Sequence, residues 1–119
     1  APLHGLLFLG ALESTFSIAG HSFHIRTLTE GETLRIGQLV RDFRGSASEQ
    51  EALRCYTVAA CVVDVDGEQV AQPYKDGYDQ IFESAKVVRK WFPPVVRAVY
   101  EEFSKLDRTA ALACRALKN

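Results

Sequence analysis

Phe23-His24-Ile25-Arg26-Thr27-Leu28-Thr29-Glu30-Gly31-Glu32-Thr33-Leu34 (FHIRTLTEGETL) changes structural period within twelve residues. Phe23 and Ile25 alternate with polar neighbours, the period of a strand with one buried face. Thr29-Glu30-Gly31-Glu32 then spells a capping box. The Thr hydroxyl accepts from the Glu32 N–H, and the Glu32 carboxylate reaches back to the Thr29 N–H. A strand therefore hands over to a helix here, with Leu28 placed to contact the first turn.

Upstream, Phe16 and Ile18 alternate in the same way before Gly20. The segment from Thr15 to Ile25 accordingly reads as a β-hairpin. Its apolar face is only four side chains wide, and an isolated hairpin is marginal in water, so it must lie on something larger. Downstream, Leu34, Ile36, Leu39, Val40 and Phe43 keep helical spacing until Gly45-Ser46 breaks it. Ser48-Glu49-Gln50-Glu51 is a second capping box, and its helix runs through Leu53, Tyr56 and Ala60 to about Val63. Asp66-Gly67 marks a turn, leaving Val65 to Val70 as a turn or a short strand pair. Pro73 to Gly77 is a loop.

A third helix is expected from Asp79 to Trp91. Pro93-Pro94 stops it and suits the first turn of the next. There Val96, Val99, Tyr100, Phe103 and Leu106 form the clearest amphipathic stripe in the chain, with Asp107 either capping it or continuing it into Ala110–Leu117. The expected fold is mainly α (α+β): four to five short helices with a small N-terminal β-hairpin. Residues 1–14 read as an apolar arm and 15–119 as one helical domain.

At 119 residues the chain is the size of one domain, and its 47% hydrophobic and 24% charged content is that of a folded globular protein. Fourteen basic against fifteen acidic side chains leave a net charge of -1, with no electrostatic footprint for nucleic acid or an anionic membrane. The apolar run Leu6-Leu7-Phe8-Leu9 is far shorter than the ~20 residues of a membrane span. It reads as an arm or edge segment. Cys55, Cys61 and Cys114 are scattered and odd in number, which suits buried thiols in a reducing compartment.

Signals for chemistry are poor. His21 and His24 lack further ligands at zinc spacing. Counting from Asp64 as a calcium loop puts Gln69 where glycine is needed and Lys75 where the bidentate Glu belongs. No glycine-rich turn feeds a helix carrying a phosphate-binding lysine. Cysteines inside helical apolar patterns are structural more often than nucleophilic. The two capped helices superficially resemble a helix-turn-helix, but the second opens with Glu49 and Glu51, which would face phosphates. No cofactor, metal, nucleic acid or membrane partner is expected, and no catalysis. Exposed apolar groups and free strand edges favour protein contacts. The candidates are Leu6, Leu7, Phe8 and Leu9 in the arm, with Phe23 and Ile25 on the hairpin.

Taken in order, the strand and capped helix of residues 23–32, the charged helix through Asp42, the Val62-Val63-Asp64-Val65-Asp66-Gly67-Glu68 turn and the closing aromatic-aliphatic helices resemble a tail assembly chaperone of long-tailed (siphophage-type) bacteriophages. The resemblance spans about Phe16 to Leu117. It implies a non-enzymatic protein of the host cytoplasm that binds the tape measure protein, self-associates, and is absent from the mature virion. It also implies recruitment of tail tube protein through a frameshift-extended form; a separate expectation places slippage near Leu117-Lys118-Asn119. The alternatives are another small phage structural component, such as a head–tail connector or tail terminator retained in the virion, and a small DNA-binding regulator.

Overall fold

The computed structural model describes residues 12–70 and 79–118. It is an α+β fold. Strands β1 (Glu13–Ile18) and β2 (His21–Arg26) form the expected hairpin, in the register Glu13↔Arg26 through Ile18↔His21. Ala19 (φ 52) and Gly20 (φ 82) make the two-residue connection, the pair of positive φ angles that a type I′ turn demands. Glycine adopts this readily, whereas alanine meets a Cβ clash of about 1 kcal/mol. Ala19→Asn should therefore stabilise the protein by about 1 kcal/mol, visible as a rise of about 4 °C in Tm by calorimetry.

α1 (Glu30–Val40) begins at the predicted capping box. Glu32 N donates to Thr29 Oγ1 at 3.2 Å, and Thr29 N to Glu32 Oε1 at 2.8 Å. The same carboxylate receives both Nη atoms of Arg26, at 2.8 and 2.5 Å, so one side chain joins the cap to the last residue of β2. A 3₁₀ turn over Arg41–Phe43 follows, and Gly45 (φ 77) turns the chain into α2 (Glu49–Cys61).

The second capping box does not form. Ser48 sits at φ -92, ψ 0, close to helical and not the extended geometry in which an N-cap hydroxyl reaches the third residue of the helix. Its N–H is instead taken by Ser46 Oγ at 3.2 Å, and Glu51 turns outward to Arg54 and Arg97. Sequence spacing alone cannot reveal that choice of backbone angle.

α2 is the buried centre of the domain, its last five residues Thr57–Cys61 all enclosed. It ends two residues earlier than expected because Val62–Val65 leaves it directly as strand β3. This strand pairs antiparallel with β2 and makes the sheet three-stranded in the order β1-β2-β3. Asp66 (φ 54) and Gly67 (φ 82) then form a second I′-type turn, closed by Val65–Glu68 hydrogen bonds of 2.9 and 3.0 Å. The two turns are tied together through Asp66. Its carboxylate accepts from Ser22 N and bonds His21 Nδ1, each at 2.7 Å, and its own N–H donates to Ser22 O at 2.7 Å.

α3 (Gln80–Val88) is capped by Asp79, whose Oδ1 accepts from Phe82 N at 3.2 Å and whose Oδ2 is held by Arg35 of α1. Pro93 opens α4 (Pro93–Lys118), a single helix of 26 residues about 39 Å long in which Asp107 continues and does not cap. The core lies between the apolar face of the sheet and α2, α3 and α4, with Ile25, Val58, Cys61, Val88 and Val99 fully buried. Phe23 packs between Phe16, parallel at 5.8 Å, and Trp91, edge-on at 5.8 Å.

Candidate interaction surface

Beyond this core, the junction of α3 and α4 carries apolar surface outward. Lys90, Trp91 and Phe92 form the short link before Pro93, and the helical period breaks there. Phe92 therefore falls off the buried stripe and is 78% exposed. Val87, on the last turn of α3, is also exposed. Together with Trp91, Val95, Val65 and Val70 they line an open groove of about 580 Å³ beside the second β-turn. Asp66 and Glu68 also line it, as does His21, whose Nδ1 lies 2.7 Å from Asp66 Oδ2. An apolar trough with acidic edges fits the apolar stripe of an amphipathic helix flanked by lysine or arginine.

The opposite, solvent face of the sheet is polar and ordered by charge. His24 lies between β1 and β3, with Nε2 2.6 Å from Glu13 Oε1 and Nδ1 3.0 Å from Asp64 Oδ2. Both carboxylates accept, so both ring nitrogens donate when the imidazole is protonated. The Asp64 hydrogen bond, assisted by Glu13, raises the His24 pKa above its ordinary value against the opposing effect of burial. A raised pKa gives stability that is complete below about 6.5 and is lost as pH rises through the folded value. Thermal melts of the native protein should fall between about pH 6 and pH 8 relative to His24→Gln, in which that slope disappears.

Acidic groups behave in the opposite sense. Asp66 is held below the usual carboxylate range by the Ser22 N–H and His21, and Glu51 by Arg97 and Arg54, so their contributions are lost as pH falls. Burial pushes the Cys61 thiol up to about 12 and also raises Cys55 against the opposing Arg89. Such thiols are weak nucleophiles at neutral pH. Among the described residues no cluster of His, Cys, Asp or Glu is placed to hold a metal ion, and no helix is long and apolar enough to cross a membrane.

No protein-family model, curated protein or solved structure matches the chain.

The residues singled out in the sequence divide into two groups. Phe23 (5% exposed) and Ile25 (0%) are core side chains, and of the two Phe23 also lines the groove beside Trp91 and Phe92. Their alternation correctly located a buried face, but what buries it is this chain's own Trp91 and α4. Leu6, Leu7, Phe8 and Leu9 lie outside the described residues. Among the described residues Leu34, Phe82, Val87, Phe92 and Leu112 are the exposed large hydrophobics, and of these Phe92 and Val87 share the groove. The available signal was Phe92 directly before Pro93-Pro94, where the register of one helix ends and that of the next has not begun.

Proposed function

We propose that this protein is a tail assembly chaperone of a long-tailed bacteriophage: a non-enzymatic protein that binds the tape measure protein and helps recruit tail tube protein while the tail is built. The observation that carries this reading is the groove around Phe92. It is open, apolar and acid-rimmed, and so suited to an amphipathic helix of a coiled-coil-prone client. A chaperone must also release what it holds. A shallow groove anchored by one fully presented aromatic and smaller aliphatic neighbours gives modest affinity per site, which repetition along a client or within a homo-oligomer multiplies.

The ordered resemblance noted in the sequence adds to this: hairpin, capped helix, DG turn and aromatic C-terminal helices occur in the series that such chaperones show. Several polar residues have structural roles. Glu32 and Asp79 cap helices, Asp66 clamps two turns, and the thiols of Cys55 and Cys61 are raised by burial. The proposed site of action is the host cytoplasm.

Mass spectrometry of purified virions tests the reading against its main alternative. A chaperone is absent from the particle although abundant in the infected lysate. Stoichiometric recovery from virions would identify a connector or terminator instead.

A further inference from the structure

We propose that the exposed end of α4, residues 108–116, docks into the groove around Phe92 of a second copy of this chain, so that copies join head to tail. From Asp107 to Ala116 no residue of α4 is buried, whereas Val96, Val99 and Phe103 earlier in the same helix are. Among the described residues these last turns therefore keep an unpartnered face, and Leu112, 63% exposed, is its centre. Arg108, four residues before, and Arg115, three residues after, share that side of the helix with Ala116. Both arginines are exposed and have no hydrogen-bond or ion-pair partner among the described residues.

The groove presents the complement. Phe92, Val87 and Val95 give it an apolar lining, and two exposed carboxylates, Asp66 and Glu68, stand there against one imidazole, His21. Seating Leu112 against Phe92 and Val87 removes from water the apolar surface that each copy leaves exposed, and it brings Arg108 and Arg115 within reach of those carboxylates. A single copy cannot make this contact with itself. Val95, in the first turn of α4, lines the groove, and the helix rises about 28 Å between Pro93 and Leu112, which carries Leu112 away from its own groove. The occupant is therefore a second copy. Because the two surfaces differ, every open assembly keeps one free groove and one free helix end and can grow further or close into a ring. The contact uses the groove assigned to the client but does not require the chaperone reading. Its test contains no client, so either can fail alone.

The test is sedimentation velocity on the full chain and on two variants, Phe92→Ser, which spoils the groove, and Leu112→Glu, which spoils the helix end. Both positions are exposed, so each variant should keep the native far-UV circular dichroism and melting curve. The native chain is expected to gain mass steadily with concentration, and each variant alone to associate about tenfold or more weakly. Mixed in equal amounts, the variants should regain association but stop at two chains, because Leu112→Glu still offers a groove and Phe92→Ser still offers a helix end. A native chain that stays monomeric up to about 1 mM would overturn the proposal and leave the groove to a foreign helix. Association that neither variant weakens would overturn it in favour of another surface. Loss in Phe92→Ser alone, or no recovery on mixing, would do so in favour of a symmetric contact around Phe92.

Discussion

Ile25→Ala is expected to lower the unfolding free energy by about 2–5 kcal/mol, the cost of deleting a branched side chain from a site that cannot collapse. Ile25 is 0% exposed and lies where the sheet meets the helices, among other fully buried residues such as Val58 and Val99. Its strand is paired on both sides, by β1 and by β3, so the backbone has little freedom to move in and fill the void. Urea titration at two protein concentrations a hundredfold apart provides the check, with the same loss expected at both. A loss that vanished at high concentration would mean that Ile25 acts at a subunit interface and not in the core.

The second large effect concerns Arg26. Arg26→Met should cost about 1–3 kcal/mol. That is less than the loss from breaking a fully buried pair, because both side chains keep some contact with water. The replacement leaves the Glu32 carboxylate partly buried with only the Thr29 N–H and its own helix terminus to stabilise it. Burial pushes the Glu32 pKa upward, but the Arg26 guanidinium and the Thr29 N–H outweigh it and hold the group below its ordinary value. The stability this pair provides is therefore present above the unfolded carboxylate pKa of about 4.3 and is lost as pH falls through the folded value. In Arg26→Met the decline on acidification should begin at a higher pH than in the native protein, which far-UV circular dichroism across an acid titration would show. An unchanged acid limb would mean that Glu32 draws its stabilisation from the helix cap alone.

Both predictions arise within the twelve residues that announce the fold, and they show what sequence can reveal. Alternation at Phe23 and Ile25 and the Thr29–Glu32 box are local signals, each specified within one turn or one pleat, and the hairpin and α1 form where those signals place them. Strand β3 was ambiguous because Cys61-Val62-Val63 is continuously apolar, a run that serves equally as the end of a buried helix or as a strand. Its pairing with β2 spans some forty residues and leaves no local mark. The Ser48 box failed for a related reason: Glu51 has a better partner in Arg97, 46 positions away. The candidate surface was the least legible part. Whether an aromatic faces inward depends on which helices pack together, so Phe23 and Phe92 look alike in sequence and yet stand at 5% and 78% exposure.

That contrast supplies the most direct test of the account. Co-expression of the tape measure protein with the native chain, and with Phe92→Ser, followed by centrifugation, measures how much client stays soluble. Phe92 makes no contribution to the core, so the variant should melt within about 1 kcal/mol of the native protein. The account predicts that the native chain keeps the client in the supernatant and that Phe92→Ser loses most of it to the pellet. Equal solubilisation by the two proteins, or no solubilisation by the native chain, would contradict it.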